Sequence, residues 1–454
     1  MKVFNTLTGQ KEDFHPRNRV VTMYVCGITA YDECHIGHAM TYIIFDVVKR
    51  YLGFKGYEVK HVQNFTDVDD KIIDRANQLG IPPAELASKY TDQYFATMDA
   101  LNVARADVYP RATEEMPKII EIIQGLFAKG CAYELQGSVY FRVRNFPDYG
   151  KLSHRNLAEM IPKDTYCERG KEYPLDFALW KASKPGEPFW ESPWGQGRPG
   201  WHIECSAMAL KYLGNTIDIH GGGQDLVFPH HENEIAQSES FTQQIPFVRY
   251  WLHNGLMQQD KQKMSKSTGN LVCVEEALDR FGPDAIRLFI LGSHYRSPLT
   301  YSEQALESSQ KGAERLRSAL THRTSASGGV AVLDAEPFEQ RFVEAMDDDF
   351  NTAQAIAVLF ELAREINRGA EGGIHIAEAQ HALLKLAGVL GLTLKEKAQP
   401  TSDAEAFVGL LASIRDDLRQ NRQWELADKI RKGLADLGVT LEDTPEGTRW
   451  KYRT

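Results

Sequence analysis

Two short segments more than two hundred residues apart carry groups suited to handling a polyanion: His35-Ile36-Gly37-His38 and Lys263-Met264-Ser265-Lys266-Ser267. Imidazoles can donate hydrogen bonds to phosphate oxygens, and fixed lysines meet the negative charge that develops as a phosphate group departs. Gly37 lets the backbone come close to such a ligand. Taken singly, each segment also reads blandly, as two satisfied surface or capping histidines and as a solvated basic turn. A second set of residue types points to a metal. Cys26, Cys205, His230 and Glu234 offer two thiols, an imidazole and a carboxylate, all accepted zinc ligands. The interval of four between His230 and Glu234 places both on one face of a helix, and Pro229 suits its first turn. On residue types alone, a closed structural metal site and unconnected buried cysteines stay open as readings.

These groups need elements to hold them. Val20 to Cys26 reads as a buried strand and Met40 to Tyr51 as a helix with apolar residues at helical spacing. His35 and His38 are therefore expected at a strand-to-helix turn, where a helix N-terminus favours phosphate. The run Asn64 to Ile72 follows a second strand, and His220-Gly221-Gly222-Gly223-Gln224-Asp225 follows a third near Thr216 to Ile219. Both runs are expected at the strand ends where open α/β sheets bind ligands. Lys263 and Lys266 lie in a polar stretch ending at Gly269-Asn270, a composition that reads as a loop able to close over phosphates.

The two phosphate-handling segments, complete and in order, resemble the paired ATP motifs of class I aminoacyl-tRNA synthetases. Cys26 after the first strand, Cys205 within Gly200-Trp201-His202-Ile203-Glu204-Cys205-Ser206-Ala207-Met208, and the pair in Pro229-His230-His231-Glu232-Asn233-Glu234 resemble, one for one, the metal site of cysteinyl-tRNA synthetases. The resemblance covers essentially the entire chain. It implies an α/β fold: a Rossmann-type doubly wound parallel catalytic domain with a connective insertion, then a helical bundle and a small C-terminal anticodon-binding domain. It also implies a ligase that activates L-cysteine with ATP to cysteinyl-adenylate and passes it to the terminal adenosine of tRNA(Cys), through the 2′-hydroxyl in this class.

Roles follow by resemblance. His35, His38, Lys263 and Lys266 are expected to be catalytic, with Gly37, Ser265, Ser267, Gly221 and Gly222 joining them around ATP. Tyr24, Gly27, Thr29, Trp201 and Asp225 are expected around cysteine, Asp225 for the ammonium. One Zn2+ per chain is expected on Cys26, Cys205, His230 and Glu234, and Mg2+ with ATP. Zinc prefers thiolate sulfur to a hydroxyl. An apolar pocket separates cysteine from serine by only roughly 1–3 kcal/mol, so metal recognition would remove the need for an editing domain.

The expected organisation is a first catalytic half over 1–108, a connective insertion over 109–195, a second half over 196–256, the Lys263 loop and a stem-contact region over 257–322, a helical bundle over 330–394 and the anticodon domain over 404–454. Phe281 to Phe289 resembles the family's stem-contact segment. Asp347-Asp348-Asp349-Phe350-Asn351-Thr352 reads as a capped helix entry, with Asn351 or Thr352 as cap, rather than a metal site. Near the C-terminus, Arg415, Arg419, Arg422, Lys429, Arg431, Lys432, Arg449, Lys451 and Arg453 could form a local basic surface. Trp450 could stack on an anticodon base or fill a small core. The stretch from Met160 to Tyr173 departs from the Gly-Ala-Arg-containing pattern of many relatives.

Composition sets the remaining bounds. With 454 residues the chain suggests three or four domains, and 43% apolar with 25% charged residues is ordinary for a globular protein. The net charge of -10 argues against broad, nonspecific nucleic-acid binding. No apolar run is long enough to span a bilayer and the start lacks a secretory pattern, so a cytoplasmic location without membrane contact is expected. Six widely spaced cysteines do not form a disulfide framework, and Cys34 beside His35 reads as packing rather than as a nucleophile. A monomer is compatible with the sequence but not required by it. Two rivals remain: a ligase joining cysteine to an amino-sugar acceptor, against which the C-terminal block counts, and a catalytically silent RNA-binding scaffold, against which the intact motifs count.

Overall fold

The computed structural model describes residues 1–157, 170–259, 262–263, 272–322, 331–395, 402–444 and 447–452. It separates into two compact units, Met1–Leu394 and Lys395–Thr454. The first opens with a hairpin, β1 (Lys2–Asn5) and β2 (Gln10–Asp13), which the hydrophobic pattern did not suggest. Then come β3 (Val20–Val25), α1 (Ile36–Phe54), β4 (Glu58–Gln63), α2 (Asp70–Leu79), α3 (Pro83–Ala100) and α4 (Met116–Ala128). An antiparallel sheet, β5 (Ala132–Leu135), β6 (Ser138–Phe141), β7 (Phe177–Ala182) and β8 (Gly197–Pro199), lies across the stretch read as an insertion, with β8 just past its expected end at 195. The main sheet resumes through α5 (Trp201–Leu213), β9 (Ile217–Gly223), α6 (Glu232–Thr242) and β10 (Val248–Asn254).

The main sheet is parallel, in the order β10-β9-β3-β4. Parallel strands need covering on both faces, and the alternation of β3 shows how this is met. Val21, Met23 and Val25 join the cluster that contains α1, whereas Tyr24 joins the one that contains Ile203, Cys205 and Met208 of α5. Helices on opposite faces make the sheet doubly wound, and the reversal of strand order between β3 and β9 leaves a crevice at their carboxyl ends.

Two boundaries differ from the sequence reading in ways that matter for the site. Helix α1 begins at Ile36, not Met40, so His35 is its cap and His38 lies in its first turn. Strand β9 runs through the glycine triplet, because parallel pairing to β10 continues to Gly223↔Asn254. The triplet is strand, not the loop that follows one.

Short strands β11 (Met257–Gln259) and β12 (Gln262–Lys263) lead to α7 (Val274–Phe281), α8 (Pro283–Leu291), β13 (Leu299–Thr300) and α9 (Glu303–Thr321). Helices α10 (Glu336–Asp347), α11 (Thr352–Glu371) and α12 (Ala377–Val389) complete this unit. Their apolar residues belong to the same cluster as α1, so the bundle expected at 330–394 shares its core with the catalytic sheet. Helix α8 is buried from Asp284 to Leu291, which leaves this stretch of the expected stem-contact segment no face for RNA. Arg287, fully buried, instead pairs with buried Asp46 at 2.5 Å and donates to the carbonyls of Leu390, Leu101 and Asn102. At the α11 entry, Asn351 is the cap, accepting from Gln354 N at 3.2 Å, and Asp349 holds Phe4 N, Tyr295 and Arg296.

The second unit packs α13 (Ser402–Gln420) and α14 (Trp424–Asp436) on the hairpin β14 (Val439–Thr444) and β15 (Gly447–Tyr452), around Val408, Ala412, Leu434, Val439 and Leu441. Trp450, partly buried, packs against this cluster. Arg415 is buried and donates to Thr448, so it leaves the expected basic surface. Among the described residues, no helix is long and apolar enough to cross a membrane.

Candidate active site and metal centre

Side-chain alternation carries β3 into the site. Tyr24 points to the α5 face, and two residues on, just past the strand end, Cys26 follows it. Strand β9 lies alongside, with Tyr24 opposite His220 and Cys26 N donating to Gly221 O at 3.2 Å. Helix α5 brings Cys205, while the turn Val227–His231 runs directly into α6 and brings His230 and Glu234. Cys26 Sγ lies 3.8 Å from Cys205 Sγ and 3.6 Å from Glu234 Oε1, and His230 Nε2 lies 3.0 Å from the same carboxylate oxygen. All four donors are buried, with their ligand atoms within 4.8 Å of one another.

The electrostatics suit a cation. Accepting a hydrogen bond from Cys26 is the largest cause that lowers the Cys205 thiol to about 6, whereas burial first, then Cys205 and Glu234, push Cys26 well up. Burial opposes ionisation of Glu234, yet His220 and His230 hold it down at about 2. Burial likewise opposes charge on His230, but Cys205 and Glu234 raise it to about 10. A thiolate and a carboxylate thus face a single imidazolium, which offsets only one of the two negative charges and leaves the group suited to a cation. A divalent ion that released that proton would meet two soft or hard anionic donors and a neutral nitrogen, a donor set that fits zinc.

The sequence reading missed the histidines around this centre. His231 Nε2 lies 3.3 Å from Cys26 Sγ, and His220 Nε2 lies 2.9 Å from Glu234 Oε2, so Cys26, His220, His231 and Glu234 form a second overlapping donor group. His231 is tied to His253 at 2.7 Å, and His253 to Thr6 Oγ1 at 2.8 Å. His202 Nδ1 lies 3.0 Å from His230 Nδ1. The tandem His230-His231 was visible as a pattern; the pairing of His220 with Tyr24 across strands was not.

Cys26 also lines a cleft of about 290 Å³, where it meets Gly27, Thr29, His35, Gly37, His38, Trp201 and Asp225. Gly27 is dictated by space, since a Cβ would lie 1.6 Å from Asn64 O, and its own N donates to Asn64 Oδ1 at 2.8 Å. The His35 and His38 rings stack with centroids 3.7 Å apart at the start of α1. The Trp201 ring lies 4.3 Å from His230, joining the cleft wall to the metal donors. Lys71, from the run expected at the strand ends, lines the cleft, and so does Asn254, which was not expected there.

Other expected residues are placed differently. Tyr24 is fully buried beneath the donors, its hydroxyl 3.8 Å from Met208 Sδ, and is absent from the cleft lining. Gly221 and Gly222 are buried within β9, and a Cβ on Gly221 would lie 2.1 Å from the Phe45 ring; Gly223 reaches the cleft instead. The backbone of Lys263 pairs with Gln258 in the strand that begins at cleft residue Met257. Ser265, Lys266 and Ser267 lie outside the described residues.

Comparison with known proteins gives a consistent result. The family described as tRNA synthetases class I (C) catalytic domain matches residues 13–311, and the DALR domain matches 341–395. The chain is 56% identical over 460 aligned positions to a cysteine–tRNA ligase of Dehalococcoides mccartyi, covering 100% of both chains, and 50% identical to that of Geobacillus thermodenitrificans, covering 99% of each. Among solved structures, methionyl-tRNA synthetase of Mycobacterium tuberculosis in complex with methionyl-adenylate aligns with a TM-score of 0.58 at 16% identity, over 83% of this chain and 88% of that one. The leucyl enzyme agnB2 of Agrobacterium radiobacter K84, in a ternary complex with tRNA, aligns with a TM-score of 0.59 at 12% identity, over 84% and 85%. At such identities these two speak to the fold alone, but full-length identity above one half, joined to the catalytic-domain match and the buried Cys-Cys-His-Glu group, means that the chain belongs to the cysteine–tRNA ligase family of class I tRNA synthetases.

Proposed function

We propose that this chain activates L-cysteine with ATP and transfers it to the 3′-terminal adenosine of tRNA(Cys). The observation that carries the reading is that Cys26 belongs both to the buried donor group and to the cleft where the stacked His35 and His38 stand. Thiol recognition and phosphate handling are thereby contiguous.

Cys26, Cys205, His230 and Glu234 would hold zinc, and His231, steadied by His253 and Thr6, would keep the Cys26 sulfur in place. When bound, zinc supplies a soft Lewis acid that separates sulfur from oxygen. Trp201 closes the side of the amino-acid pocket, Gly27 and Thr29 form its edge, and Asp225 pairs with the substrate ammonium. His35 and His38 donate to triphosphate oxygens at the α1 N-terminus, where the helix adds favourable partial charge. Lys263 and Lys266, with Ser265 and Ser267, meet the charge released with pyrophosphate, and Mg2+ accompanies ATP. The cysteine carboxylate is the nucleophile, so the side chains act by positioning and charge stabilisation and no covalent enzyme intermediate is needed. The second unit contributes to tRNA selection, and the setting is cytoplasmic.

The test is Cys205→Ser. Zinc content and cysteine-dependent ATP–pyrophosphate exchange should fall together, by at least about tenfold in exchange. Full zinc retained with full exchange would refute the assignment of Cys205. The amino-sugar ligase is separated by offering the unmodified protein both acceptors: charging of tRNA in the presence of serine supports the present reading, whereas cysteine activation with transfer only to an amino sugar replaces it.

A further inference from the structure

A second cleft, of about 630 Å³, meets the first at Asp225. Its walls present two aromatic rings, each covered by a guanidinium. Arg155 sits over Phe228 at 5.1 Å from the ring centroid, and Arg296 sits over Phe4 at 4.2 Å. The two arginines come from distant parts of the chain, one after the insertion sheet strand β6 and one before β13. Arg296 is oriented by buried Asp349, its Nε donating at 2.8 Å, while Arg155 is exposed. His253 and Thr6, bonded to each other, lie in the same lining.

Paired aromatic and guanidinium planes in a groove of this size suit a splayed, single-stranded nucleotide, whose base stacks on the planes and whose phosphate meets the cations. We propose that this cleft receives the unpaired nucleotides immediately preceding the terminal adenosine of the tRNA, so that the terminal ribose enters the first cleft past Asp225. The inference rests on the reading of the chain as a tRNA ligase. It adds a place, and Arg155, Phe228, Phe4 and Arg296 as positioning residues for the acceptor end. The same chemistry would accept a free nucleotide, and the experiment separates the two sources.

Arg155→Ala is the first variant, because an exposed side chain can be removed without opening the core, and Phe4→Leu is the second, keeping apolar volume while removing the stacking plane. Cysteine-dependent ATP–pyrophosphate exchange, run in parallel, reports on the underlying reading alone. With each variant KM for tRNA in charging should rise by about tenfold, with exchange unchanged, since one base–aromatic stack is of that order. For Arg155→Ala the dependence of tRNA affinity on salt should also flatten by about one phosphate contact. A tRNA lacking its unpaired 3′ nucleotides should bind the wild type and both variants equally. Unchanged KM in both variants overturns the proposal, as does an equal loss with the truncated tRNA, which would place the contact elsewhere on the RNA. Binding of free CMP that is lost in Arg155→Ala while charging stays intact would assign the cleft to a free nucleotide and overturn it too. Loss of exchange in the wild type would instead strike the ligase reading itself.

Discussion

Gly221→Ala separates two purposes a glycine can have beside a nucleotide. In the sequence, the triplet suggests close approach of ATP; in the structure, Gly221 is buried in β9 against α1. A Cβ built there falls 2.1 and 2.2 Å from Cε1 and Cζ of Phe45, against the roughly 3.5–4.0 Å of an ordinary carbon contact, so the two must part by about 1.4 Å or more. Phe45 is 1% exposed and has no solvent to turn into. The φ of Gly221 is outside the left-handed region, so backbone strain adds nothing and the cost is overpacking. We expect a loss of about 3 kcal/mol, at the upper end of the usual range for such insertions. Urea denaturation measures it directly, and the variant should keep KM for ATP within about twofold at temperatures where it is folded. Phe45→Leu should relieve part of the cost, giving a coupling of about 1 kcal/mol or more in the double-mutant cycle. Stability within about 0.5 kcal/mol of wild type, together with a tenfold rise in KM for ATP, would refute the packing argument and return Gly221 to the nucleotide.

Two further outcomes follow from buried charge. Arg287→Met should cost roughly 3 kcal/mol, measured in the same urea assay, because Asp46 keeps, among the described residues, only Arg50 as an ionic partner while the carbonyls of Leu390 and Leu101 lose a donor; a loss below about 1 kcal/mol would mean that Arg50 and solvent take over. Burial lowers His61 to about 3 and leaves it neutral in the folded chain. Between that value and the ordinary histidine pKa the unfolded chain binds the extra proton, so stability must fall as pH drops through this window, by up to about 1.4 kcal/mol per pH unit from this group. His61→Leu should flatten that acid limb in denaturation curves taken from pH 7 to pH 4, and an unchanged slope would show that His61 is protonated without unfolding.

What could be read from the chain alone was chemistry that depends on residue type and short spacing. The His35 and Lys263 segments, the donors Cys26, Cys205, His230 and Glu234, and the alternation of strands with helices are all properties of local composition and period. The tertiary structure decided which face each group occupies and what stands opposite. Period-two alternation sends Tyr24 and Cys26 to one side of β3, but only the parallel register with β9 places His220 beside them, and only the turn into α6 brings His231 as close to Cys26 as the expected ligands. The same limit explains Gly221, set by a phenyl ring 176 positions earlier, Arg287, basic in sequence yet fully buried, and Arg415, counted as surface but held in a small core. A low-dielectric interior accepts a charge or rejects a methyl group according to its neighbours in space, and those neighbours are fixed by strand order and helix packing rather than by any pattern within reach along the chain.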